Sequence, residues 1–138
     1  MFNSLNRQWG PHTVDRFATD YNAKCFRFNS KWGCPGSEAI DAFKQNWSID
    51  VNWWVPPTRL AARVIDKIVI EQANGTLIVP MWKSAPFWPK ICYGGEFLFF
   101  VKDFLQISSK QLRQGKGNNG IFGSSRTCFY DYCFEITI

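Results

Sequence analysis

At 138 residues the chain is one domain or a piece of one, long enough for a single modest core. Hydrophobic residues at 46% and aromatics at 17%, with seven Trp and thirteen Phe, exclude a disordered tail. The net charge is +5, no run of eighteen apolar residues marks a membrane helix, and residues 1–7 lack the apolar run of a signal peptide. An intracellular protein, cytoplasmic or nuclear, with no membrane partner is expected.

Residues 1–11 are polar, are broken by Trp9-Gly10-Pro11, and are expected to form a flexible lead. Thr13 to Ala18 reads as a short strand that runs into a loop at Asp15. Trp32 to Gly36 reads as a loop, and Ser37 with Glu38 can start a short helix through Phe43. Asp50 to Val55 is β-prone and stops at Pro56-Pro57, because proline cannot continue a central strand. The clearest helix follows. Thr58 is its expected N-cap, and Leu60, Ala61, Val64, Ile65, Ile68 and Val69 give a 3.6-residue apolar stripe that ends at Asn74-Gly75. Thr76 to Pro80 is a short apolar strand, so strand, helix, glycine turn and strand form a βαβ unit and favour a parallel sheet. Ser84 to Pro89 interrupts regular structure, with a short helix to Ile91. Glu96 to Phe104 is strand-like, residues 113–123 form a Gly-rich loop, and Cys128 to Ile138 is a final strand.

Five cysteines at irregular spacing fit neither a disulfide framework nor a zinc site, and the single histidine is His12. Buried free thiols are expected, and no metal. Between Lys83 and Arg126 seven basic residues face two acidic ones, an excess equal to the whole net charge. Lys102, Lys110, Arg113 and Lys116 are therefore candidate contacts for DNA or RNA, weighed against an ordinary solvated face. With one His, no GxSxG elbow and scattered carboxylates, hydrolytic and polymerase-type metal chemistry have little to work with.

An ordered series of strings is more specific. Trp9 to Ala18 is followed by Asn22, Arg27 to Ser30, Pro35-Gly36 and Ile40 to Phe43. Then come Asn46-Trp47, Asn52 to Trp54, Pro56-Pro57 and Arg63 to Ile65. Gly75 to Pro80, Trp82, Ser84 to Pro89, Phe100 to Phe104, Gly115 to Asn118 and Phe122-Gly123 complete it. In that order and spacing the chain resembles the methyltransferase-like region that follows reverse transcriptase and RNase H in tyrosine-recombinase retrotransposons of the DIRS/Ngaro type. That region is in turn similar, more weakly, to phage-type DNA adenine methyltransferases, through Asp15 to Ala18, Gln45-Asn46-Trp47 and the proline pair after a strand.

The resemblance implies one α/β domain over residues 1–138, with a Rossmann-like sheet of the adenosylmethionine-dependent methyltransferase type, whole or truncated. It implies a catalytic loop at Val55, Pro56, Pro57 and Thr58, and a cofactor wall at Asp15 and Phe17. Methylating the adenine amine requires a flipped base, an acceptor for the amine and an aromatic face. Enzymes of this kind place Asp or Asn, Pro, Pro, then Tyr or Phe in the loop. Valine offers no acceptor here and threonine no stacking face, and no glycine follows Phe17. Asp15 can equally make a structural turn. Because side chains alternate along a strand, at most one of Trp53 and Trp54 faces the ligand crevice. Base stacking by Trp82, Phe87 and Trp88 is weighed against packing under a Pro-rich loop. The expected function is a non-catalytic scaffold or nucleic-acid-binding module of a reverse-transcriptase polyprotein, with reverse transcriptase and RNase H domains as neighbours and no cofactor. The alternative is an active adenosylmethionine-dependent DNA adenine methyltransferase with a divergent loop.

Overall fold

The computed structural model describes residues 2–108 and 130–136. Helix α1 (Phe2–Trp9) leads into strands β1 (Val14–Asp15), β2 (Arg27–Ser30) and β3 (Ala39–Ile40), a 3-10 turn at Ala42–Lys44, and β4 (Val51–Trp54). A second 3-10 turn at Thr58–Leu60 opens helix α2 (Ala61–Glu71), followed by β5 (Asn74–Pro80) and a third turn at Trp88–Lys90. A small hairpin, β6 (Cys92–Tyr93) and β7 (Glu96–Phe97), precedes β8 (Val101–Ser108) and β9 (Tyr130–Ile136). The main sheet has the order β3-β2-β1-β4-β5-β9-β8. Strands β1 to β5 are mutually parallel, and β9 lies antiparallel between β5 and β8. The fold is thus mixed α/β around a five-strand parallel core, compatible with a Rossmann-like fold. Among the described residues no helix is long and apolar enough to cross a membrane.

The βαβ unit forms at β4, α2 and β5. Helix α2 buries Ala61, Val64, Ile65 and Ile68 against Trp54, Leu77 and Val79 on one face of the sheet. Two details of that unit differ from expectation. Thr58 makes no side-chain cap, because a 3-10 turn precedes the helix. The helix ends at Gln72 rather than at Asn74-Gly75: Gln72 is left-handed at φ 54°, its N–H donates to the Val69 carbonyl and that of Ala73 to Ile68, a Schellman closure. Gly75 serves a different need. It sits so close to β4 that a Cβ would lie 2.2 Å from the Asn52 carbonyl oxygen.

The opposite face of β4 and β5 is covered by α1, which corrects the flexible lead expected over residues 1–11. Phe2, Leu5 and Trp9 share a helical stripe, and Leu5 and Trp9 pack on Trp53 and Ile78. His12 then ties Asn6 of the helix to Thr76 of β5. Trp53 and Trp54 point to opposite faces, as adjacent strand residues must, and both are buried, one in each core cluster.

The helix expected from Ser37 to Phe43 is replaced by β3 and a single turn. The Glu38 N–H donates to the Phe28 carbonyl and that of Asp41 to Ser30, which extends the sheet. Asp41, at φ 64°, then starts the turn by accepting the Phe43 N–H. Beyond β5, Phe87 and Trp88 are core while Trp82 is exposed. The aromatic run from Glu96 to Phe104 divides into β7 and β8. Gly94 and Gly95, both at positive φ, close the two-residue hairpin between β6 and β7. The Gly-rich loop expected over 113–123 lies outside the described residues.

Candidate functional site

Strand order reverses between β1 and β4, and in open parallel sheets the crevice outside the carboxyl ends at such a switch point is the natural ligand site. A cleft of about 1060 Å³ opens there. Its walls are the segments that leave β1 (Asp15 to Asn22), β2 (Ser30 to Cys34) and β3 (Ile40 to Lys44), and the loop after β4 from Val55 to Arg63.

The cleft brings together Asp15 and Phe17 with Val55, Pro56 and Pro57; Thr58 does not line it. Asp15 is buried, and its carboxylate closes the β1 turn: Oδ1 accepts the Phe17 N–H at 3.3 Å and Oδ2 the Lys24 N–H at 2.9 Å. Burial, reinforced by this carboxylate, pushes the Cys25 thiol up to about 12, so Cys25 is an inert neutral group. The Phe17 ring meets Phe43 edge-on at 5.6 Å and Trp47 at 6.4 Å, continuing an aromatic stack to Trp54. The Arg63 guanidinium lies 3.9 Å from the Phe43 ring centroid, in cation–π range.

On the opposite wall, Val55 packs half-buried against the cluster of Leu5, Trp9, Trp53 and Ile78. Pro56 is buried and Pro57 exposed, so the proline pair ends β4 and turns the chain into the 3-10 opening of α2.

Beneath the cleft floor lies a polar network that the sequence does not announce. Arg16, 2% exposed, donates from Nε to Asn52 Oδ1 at 2.8 Å and from Nη1 to Asn29 Oδ1 at 2.8 Å. Its Nη2 donates to the Asn46 carbonyl at 3.2 Å and to Asp50 Oδ2 at 3.1 Å. Burial pushes the Arg16 guanidinium below its ordinary range, and Asp50 opposes that push. Burial alone would raise Asp50, but hydrogen bonds from Arg27 and Thr13 and the two arginine charges hold it below the usual carboxylate range. Arg27 bridges Asp50 and Glu38, and those two hydrogen bonds raise it. A buried charge is tolerable when it is paired and well hydrogen-bonded, and Arg16 makes one ion pair and four hydrogen bonds to partners from three separate segments.

The nucleic-acid candidates lie elsewhere. Lys102 is exposed on β8, the far edge strand, with β5 and β9 between it and the cleft side of the sheet. Lys110, Arg113 and Lys116 lie outside the described residues. The cleft carries its own cations, Lys24, Lys31, Lys44, Arg59 and Arg63, together with the exposed aromatics Tyr21 and Trp32. The alternation of basic and aromatic residues between Tyr21 and Trp32 is the sequence signal that marks them. Among the described residues no three His, Cys, Asp or Glu side chains gather as a metal site, and Cys25, Cys34 and Cys92 are free thiols.

Compared with known proteins, the chain matches no family model, no curated protein and no solved structure.

Proposed function

We propose that this chain is a non-catalytic, methyltransferase-like domain of a tyrosine-recombinase retrotransposon polyprotein, retained as a scaffold or nucleic-acid-binding module beside reverse transcriptase and RNase H. The strand order, with its switch point between β1 and β4, is compatible with the adenosylmethionine-dependent methyltransferase type of sheet. The observation that carries the reading is the state of the loop after β4. Pro56 and Pro57 border the cleft, where a catalytic loop would stand, yet the residue before them is an apolar valine held in a hydrophobic cluster. The residue after them, Thr58, is outside the cleft lining.

An acceptor for the adenine amine and a stacking face are each worth about 1–3 kcal/mol, and losing both costs several powers of ten in rate. Adenosylmethionine also fits the β1 wall poorly. Both Asp15 carboxylate oxygens already accept backbone N–H groups, and the Ala18 N–H is tied to the Asn29 carbonyl instead of leaving an open glycine loop. Calorimetric titration of the purified chain with adenosylmethionine tests the reading. No saturable heat is expected, and clear saturable binding would overturn it in favour of an active enzyme with a divergent loop.

A further inference from the structure

We propose that the rim of the cleft formed by the β1–β2, β2–β3 and β3–β4 connections is a track for single-stranded nucleic acid. In this track Tyr21 and Trp32 stack on bases, and Lys24, Lys31 and Lys44 contact phosphates. The inference rests on the nucleic-acid side of the function proposed above and gives it a site.

Trp47, Trp53, Trp54, Phe87 and Phe100 are all at most 2% exposed, while Trp82, Tyr93, Phe99 and Phe104 are exposed away from the cleft. Against that pattern Tyr21 is 85% exposed and Trp32 73%, both on the lining of one cleft, with Phe26 at 97% in the segment between them. Scattered exposed aromatics are ordinary, but a cluster interleaved with cations along one short segment is the composition of a base-stacking surface.

The cations sort in the same way. Arg16, Arg27, Lys67 and Lys90 are committed to ion pairs within the fold. Of the eight other cations among the described residues, five (Lys24, Lys31, Lys44, Arg59 and Arg63) line the cleft and form no ion pair there, while Arg7, Lys83 and Lys102 lie outside it. Three carboxylates share the lining, Asp15, Asp20 and Asp41, so the five cations outnumber them; Asp15 accepts two backbone amides and Asp41 the Phe43 N–H. Lys31 Nζ stands 5.2 Å from the Trp32 ring centroid, so an ammonium lies beside any base stacked on that ring. The elements at this rim are connecting segments, with no helix or ribbon to enter a major groove, and stacking on a side chain requires unpaired bases.

Fluorescence anisotropy of the full chain with short labelled oligothymidine and oligouridine, over a range of salt, tests the track. A duplex serves as comparison, and circular dichroism confirms that each variant folds. Trp32→Ala and Tyr21→Ala are each expected to weaken binding roughly 5-fold or more, with Trp32→Phe keeping more affinity than Trp32→Ala. Replacing Lys24, Lys31 and Lys44 together by alanine is expected to lower the slope of log affinity against log salt by about two. Absence of binding at low salt, tighter binding of the duplex, or unchanged binding by the Trp32 and triple-lysine variants would each overturn the track. So would binding lost only on charge reversal at Lys102, Lys110, Arg113 and Lys116. Adenosylmethionine enters none of these readouts, so the track and the non-catalytic reading fail or stand separately.

Discussion

The His12 imidazole holds Thr76 of β5 across the helix–sheet boundary: its Nε2 lies 2.7 Å from Thr76 Oγ1. The tautomer follows from the other ring nitrogen. Asn6 Oδ1 accepts from the His12 backbone N–H at 2.8 Å and can only accept from Nδ1, also at 2.8 Å. Nδ1 therefore carries the proton, and Nε2 is bare and accepts from the Thr76 hydroxyl.

A buried neutral imidazole makes stability depend on pH. Burial lowers the His12 pKa from 6.5 to about 4, so between those values the unfolded chain binds the extra proton and the native one does not. Stability is then full above 6.5, falls as pH drops toward 4, and loses about 3 kcal/mol in that window. Asp50 adds a separate, more acidic limb. Its carboxyl is depressed, so its contribution is present above the ordinary carboxylate range and is lost as pH falls through its lowered value. Denaturant titrations from pH 4 to 8 should show the first limb in the native chain and lose it in His12→Gln; a flat native profile would refute it.

Arg16 holds four acceptors at once, so its removal leaves two buried amide oxygens unpaired and leaves Asp50 with Arg27 as its remaining charged partner. Arg16→Met is expected to cost about 3–5 kcal/mol, and Arg16→Lys to recover only part, since one ammonium cannot span the same acceptors. Urea unfolding measures both. A loss below about 1 kcal/mol for Arg16→Met would mean that Arg27 alone satisfies Asp50.

Gly75→Ala places a methyl 2.2 Å from a backbone oxygen of Asn52, a clash no side-chain rotamer relieves. The expected cost is at least about 1–3 kcal/mol, because β4 and β5 must part where they are paired in register. Thermal unfolding reads it, and an unchanged midpoint would sink the close-approach account.

If α1 is part of the core, Leu5→Ala costs about 2–5 kcal/mol, whereas Asn3→Ala, on the exposed side of the same helix, stays within about 0.5. Equal and small effects from both would return residues 2–9 to the status of a lead.

The legible part of this fold was the part with local signals. The apolar stripe from Leu60 to Val69 and the β-prone runs on either side fix β4, α2 and β5, and alternation assigns Trp53 and Trp54 to opposite faces. Strand β1 lies within the short strand read at Thr13 to Ala18, whereas β2 and β3, four and two residues long, exist because distant segments pair with them, which no periodicity reveals. The stripe of Phe2, Leu5 and Trp9 is too short to stand out from its polar neighbours. Of the site, Asp15, Phe17 and the proline pair are legible by motif. Arg16 is not, because its partners at 29, 46, 50 and 52 converge only once the sheet has formed. The rim lysines were masked by a charge count that pointed to the C-terminal half.

Helix α1 precedes β4 and β5 in the chain, yet its bed is Trp53 on β4 and Ile78 on β5. Without β4 and β5, Leu5 and Trp9 lack that bed, and a helix of eight residues has little stability of its own. The other end of the sheet is equally non-local, since β9 lies between β5 and β8. Docking α1 on β4 and β5 and setting β9 between β5 and β8 means that the core closes only when segments far apart in sequence have met.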